Sequence, residues 1–137
     1  MTKSDSGKRH EPLTLREEEV GKGIVQAAYD VHRVLGPGLL ESVYEVCLGH
    51  ELSKRGNTTQ RQVKAPIVYD GMTFDEALRL DLLVEDLVIC ELKVVEELLP
   101  VHVSQVLSQL RLTNRRLGYL LNFHVASISQ GIRRVIN

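Results

Sequence analysis

The stretch that decides the fold is DLLVEDLVICELK, residues 81–93. Two apolar runs, LLV and LVIC, flank the polar pair Glu85-Asp86, the pattern of two β-strands joined by a tight turn. On the second strand Leu87, Ile89, Glu91 and Lys93 point one way and Val88, Cys90, Leu92 and Val94 the other. Both faces are apolar over most of that length, which predicts a central strand. Asp81, Glu91 and Lys93 are then the anomaly. Charges inside such runs persist when they are paired, hydrogen-bonded or bound to a metal. If the turn sets Asp81 opposite Glu91, two carboxylates share a face at about 5 Å. Such a pair repels unless a cation intervenes, and oxygen donors of this kind suit Mg²⁺ or Mn²⁺, with Lys93 at the flank. The structural alternative is an ion pair, Glu91 or Asp81 with Lys93, that ends the strand.

Outward from this hairpin, the period changes. LTLREEEVGKGIVQAAYDVHRVLG carries Val20, Ile24, Ala27, Ala28, Val31 and Leu35 at helical spacing, and Gly36-Pro37-Gly38 stops it. A second helix is expected from near Leu40, with Tyr44, Leu48 and Leu52 on one stripe and Gly56 at its end. QVKAPIVYDG and MTFDEALRLDLLV read as strands joined at Asp70-Gly71, and Pro66 implies an edge position or a bulge. Val101 to Arg115 is helical in pattern, LGYLLNF is a short buried strand, and ISQGIRRVIN ends the sequence as helix or strand. The order is α-α-β-β-β-α-β, an α+β, three-layer arrangement with a mixed sheet.

The 137 residues fit one domain, expected over residues 14–137 behind a flexible tail, residues 1–13. No apolar run reaches the length of a membrane span, and MTKSDSGKRHEP lacks the apolar segment of a secretory signal, so a cytoplasmic protein that meets no membrane is expected. Cys47 and Cys90 are far apart and form no C-x-x-C pair, as two reduced, buried residues would. The net charge of −1 hides a division: residues 1–97 hold all 18 acids, while residues 98–137 hold five Arg, two His and no acid. That asymmetry points to an anionic partner, with Arg111, Arg115 and Arg116 as candidate nucleic-acid contacts, or to guanidiniums that solvate helix faces and pair with acids elsewhere.

Gly38-Leu-Leu-Glu41-Ser-Val-Tyr44 fits G-x-x-E-x-x-Y. With Asp81, Glu91-Leu-Lys93 and Gln105, the sequence resembles the GxxExxY protein family, a branch of the PD-(D/E)XK nuclease superfamily, from about Val31 to Val135. The resemblance implies a restriction-endonuclease-like core. It implies Asp81 and Glu91 as metal carboxylates, Lys93 as the catalytic lysine, Glu41 as an acid from the first core helix that completes the metal shell, and Gln105 as a polar catalytic residue of the later helix. Tyr44 is expected in the core, its hydroxyl orienting Glu41. Gln109 departs from the pattern, which favours Tyr there. His32, His102 and His124 are expected in packing or hydrogen-bonding roles.

The function so implied is a Mg²⁺-dependent nuclease hydrolysing phosphodiester bonds, in DNA first. The alternatives are a non-catalytic nucleic-acid- or protein-binding module that keeps the fold, and a homodimer whose site serves only structure. With 4% aromatic residues and no Trp, recognition by base stacking has little support.

Overall fold

The computed structural model describes residues 11–137, without the side chains of Glu76 and Ala77. Helix α1, Leu15–Leu35, starts at a capping box: Thr14 Oγ1 accepts from the Glu17 amide and the Glu17 carboxylate accepts from the Thr14 amide. The tail expected over residues 1–13 lies outside the described residues as far as residue 10; beyond it, Arg116 donates to the carbonyl of Glu11 at 2.8 Å and Leu13 packs on the core. Helix α2 is Glu41–Lys54, and strands β1 (Thr59–Tyr69), β2 (Met72–Val84) and β3 (Val88–Lys93) follow. Helix α3, Pro100–Leu112, leads to β4, Leu117–Asn122. A short 3-10 turn, Ile128–Gly131, precedes β5, Ile132–Ile136, so the C-terminal segment resolves as a strand.

Among the described residues the sheet has five strands in the order β1-β2-β3-β4-β5, antiparallel except where β3 runs parallel to β4 across the α3 crossover. The result is the expected α+β architecture with a mixed sheet, consistent with a restriction-endonuclease-like core. Asp70 and Gly71, with φ of 52° and 79°, close the β1–β2 hairpin between Tyr69 and Met72. β1 is an edge strand, and its register shifts between Ala65 and Ile67, around Pro66, as a residue without an amide donor requires.

The sheet separates two apolar cores. On one face Val88, Cys90, Leu92, Leu117, Tyr119 and Leu121 meet α1 and α2; on the other Ile89 and Leu120 meet Val106 and Leu110 of α3. This alternation along β3 follows from the period-2 pleat and sends Glu91 and Lys93 to the α3 side. Helix α3 can lie this close because β4 carries Gly118: a Cβ there would stand 2.8 Å from Val106 Cγ1 and 3.3 Å from the Ile89 carbonyl oxygen. Gly118→Ala is therefore expected to destabilise the fold by about 1–3 kcal/mol as an overpacking change, read as a lowered urea midpoint at unchanged slope.

The β1–β2 ribbon does something the pleat alone does not provide. Thr59 and Arg61 lie against Gly49 of α2, and Gln62 reaches Glu45 of the same helix, whereas Val63 packs in the α3-side core. On β2, Leu82 and Val84 join the α1–α2 core while Leu78 and Leu80 join the α3 side. The register is the same on both sides of the change, Arg61 opposite Leu82 and Val63 opposite Leu80. Both strands therefore exchange faces between these pairs, at Gln62 and Asp81. Gln62 has φ of 52°, a left-handed backbone that costs a non-glycine residue about 1–2 kcal/mol and needs a tertiary contact to hold it.

Candidate active site at the end of β3

The β2–β3 ladder has the expected register: Val84 opposite Val88, Leu83 opposite Ile89, Leu82 opposite Cys90. One step further Asp81 would face Glu91, and there the ladder ends. Asp81 Oδ2 instead accepts the backbone amide of Leu92 at 3.0 Å. Its carboxylate thus reaches across to β3 rather than standing on a face of the sheet. Glu91 is buried on the α3 side, where Gln109 Nε2 donates to its Oε1 at 3.2 Å and Lys93 Nζ lies 3.6 Å from its Oε2.

Glu41 enters from the other layer as the first residue of α2, and the G-x-x-E-x-x-Y segment explains how. Gly36 and Gly38 take φ of 66° and 102°, turning the chain between α1 and α2. Tyr44, stacked on Phe123 at 4.6 Å, donates its hydroxyl hydrogen to the Gly36 carbonyl and accepts from the Leu39 amide. The expected hydroxyl contact to Glu41 is thus replaced by one to the loop: Tyr44 fixes the turn that delivers Glu41.

These carboxylates sense one another. Burial, the Asp81 carboxylate and, to a lesser extent, Glu41 push Glu91 from the ordinary 4.5 up to about 7, against the opposing pull of Gln109 and Lys93. Asp81 is raised by burial and by the Glu45 carboxylate, although the Leu92 amide, Lys93 and Arg79 pull it down. Glu41 is raised by burial, Asp81 and Glu45, with Lys93 opposing. Lys93 is the ammonium common to all three, outnumbered by carboxylates.

A groove of about 480 Å³ opens beside them, with Glu91 and Lys93 on its floor and Ser104, Gln105 and Ser108 of α3 along its wall. Gln105 is thus brought to the site. So is Gln109, which lines the groove and whose Oε1 is buried without a hydrogen-bond partner. Asn122 escaped sequence reasoning. Buried at the end of β4, it bonds both backbone groups of Val95 and the His124 amide, fixing the path of the chain as it leaves Lys93. A polar residue closing the apolar run LGYLLN was its only signal.

Other sequence candidates are elsewhere. Arg115 is bound to Asp86 at 2.7 Å, and Arg116 donates to the carbonyls of Asn137 and Glu11. Both precede β4, whose Leu117 pairs with Val88, so they sit at the opposite end of β3 from Lys93. Arg111 is exposed near the C-terminus of α3. The histidines have structural partners: His32 with the Val125 carbonyl, His102 accepting the Leu99 amide at the start of α3, and His124 with Glu96. Cys47 and Cys90 are free thiols.

Among the described residues no group of three or more His, Cys, Asp or Glu side chains is close enough together to enclose a metal ion. The donor chemistry of the smaller set still fits one. Asp81 and Glu91 offer hard carboxylate oxygens, and each is raised by burial and neighbouring negative charge that a divalent cation would offset. Two carboxylates with remaining positions left to water and phosphate are the usual Mg²⁺ arrangement.

Among the described residues no helix is long and apolar enough to cross a membrane. No curated protein and no solved structure matches the sequence. One family model does match, over residues 18–135, a span that runs from the first turn of α1 into β5 and takes in every carboxylate of the site. A model that covers so much of the sequence and ends within β5 settles the family: the chain belongs to the PD-(D/E)XK nuclease superfamily.

Proposed function

We propose that this nuclease-like protein, of the GxxExxY branch, is a cytoplasmic Mg²⁺- or Mn²⁺-dependent phosphodiesterase acting on DNA. The observation that carries the reading is the Asp81–Glu91–Lys93 arrangement: two carboxylates raised by burial and neighbouring negative charge beside one ammonium, with Glu91 and Lys93 lining a groove to which Ser104, Gln105 and Ser108 add uncharged polar groups. Asp81 and Glu91 would hold the cation, with Glu41 completing the set from α2. Such a cation, when bound, supplies charge stabilisation at phosphate and an activated water. Lys93 orients the attacking water and shields the charge developing on the phosphate. Ser104, Gln105 and Ser108 donate to the phosphodiester backbone, and Gln105 aligns it. Arg111, exposed on the same helix as Gln105 and Ser108, adds a long-range attraction that salt would screen.

A metal titration tests this. Wild type should bind Mn²⁺ saturably by calorimetry, and Asp81→Ala should lose at least a factor of about ten in affinity while its far-UV spectrum is kept. Equal heats from both proteins would remove Asp81 from the metal site. The second reading, a binding module without catalysis, is favoured by one observation, the absence among the described residues of a close group of three metal-ligating side chains. It predicts DNA retention without metal-dependent cleavage.

A further inference from the structure

Glu45 belongs to no motif in the sequence, yet the residue is 3% exposed and its carboxylate is bound on both oxygens. Arg61 Nε donates to Oε1 at 3.1 Å, and Gln62 Nε2 donates to Oε1 and Oε2 at 3.0 and 2.8 Å. Adjacent strand residues ordinarily point to opposite faces, so two neighbours reaching the same carboxylate is itself a departure from the pleat. The second of them is Gln62, with φ of 52°. It lies across from Asp81, at the unpaired step of the β1–β2 ladder between Arg61–Leu82 and Val63–Leu80, on either side of which the register is the same. That same step is where both strands exchange faces, and where Asp81 turns to the Leu92 amide.

We propose that Glu45 is a positioning residue for the site: by clamping Gln62 in a left-handed backbone it forces the half-turn in the β1–β2 ribbon that carries the Asp81 carboxylate across to β3 beside Glu91. Without the clamp, Gln62 relaxes to extended backbone, the ribbon keeps its alternation, and Asp81 stays on a sheet face with Leu92's amide unpaired. The consequence for catalysis rests on the reading of Asp81 as a metal carboxylate; the geometric role does not.

The test therefore reads geometry and metal separately, on the full chain. Amide hydrogen exchange at Leu92, referred to Ile89 on the same strand, reports the Asp81 contact with neither metal nor substrate present. Glu45→Leu should speed Leu92 exchange about tenfold or more relative to Ile89, and weaken Mn²⁺ binding by about 10–100-fold. Gln62→Ala, a change at an exposed position that leaves Glu45 paired with Arg61, should give the same selective loss even if Glu45→Leu fails to fold. Glu45→Gln keeps an acceptor for Gln62 and should stay near wild type in both measurements. Unchanged Leu92 exchange in Gln62→Ala overturns the proposal. So does Glu45→Gln behaving like Glu45→Leu, which would assign the effect to charge rather than to the clamp. If wild type binds no Mn²⁺ while Leu92 still responds to both clamp variants, the nuclease reading falls and the positioning role stands.

Discussion

Lys93→Ala is expected to lower metal-dependent DNA cleavage by about 10²–10⁴-fold while leaving Mn²⁺ affinity within a few-fold of wild type. The separation follows from the geometry. Among the described residues Lys93 is the one ammonium acting on Glu41, Asp81 and Glu91 together, and its Nζ stands 3.6 Å from Glu91 Oε2. Removing it takes away the group proposed to orient the nucleophile but neither carboxylate that would hold the cation. It also withdraws a competing positive charge, so metal affinity has no reason to fall. Single-stranded, double-stranded and branched DNA should be assayed with Mg²⁺ and with Mn²⁺. Cleavage that persists undiminished in Lys93→Ala would place the chemistry elsewhere, and wild type that binds metal and cuts nothing would favour the binding module.

The second large effect is on stability, and its sign is opposite to that of an ordinary carboxylate. Glu91 is raised from 4.5 to about 7, so the folded state holds a proton that the unfolded state releases at lower pH. Its favourable contribution is complete below about 4.5 and is lost as pH rises through about 7. Metal-free protein should accordingly lose stability between pH 4.5 and 7, by an amount on the order of 3 kcal/mol for a group displaced this far. Glu91→Gln, which still accepts from Gln109, should flatten that dependence and make the metal-free protein more stable than wild type at pH 8. Added Mg²⁺ should stabilise wild type and not the variant, because only the former keeps both proposed ligands. Urea unfolding at pH 5 and pH 8, with and without Mg²⁺, reads all of this. A Glu91→Gln protein markedly weaker at pH 8 without metal would show that the 3.6 Å contact with Lys93 is a structural ion pair instead.

Both predictions concern residues visible in DLLVEDLVICELK. The pleat has a period of two, so the pattern of that segment determined by itself that β3 is central, that Glu91 and Lys93 share a face, and that the Glu85-Asp86 turn sets Leu82 against Cys90. Asp70-Gly71 and Gly36-Pro37-Gly38 were equally legible, because positive φ at a turn is a local demand. Pattern could not say where Asp81 points. Its direction depends on the backbone of Gln62 in the neighbouring strand, held by Glu45 from a helix 17 residues earlier. The partners of the Tyr44 hydroxyl and of the Arg115 and Arg116 guanidiniums lay beyond pattern for the same reason: each is polar and long enough to reach several groups, and only packing selects the Gly36 carbonyl, Asp86 and the carbonyls of Asn137 and Glu11. Local periodicity fixes which residues can meet, since it acts through neighbours in the chain. The tertiary structure decided which of them do, because a buried polar group must find its partner wherever the fold brings one.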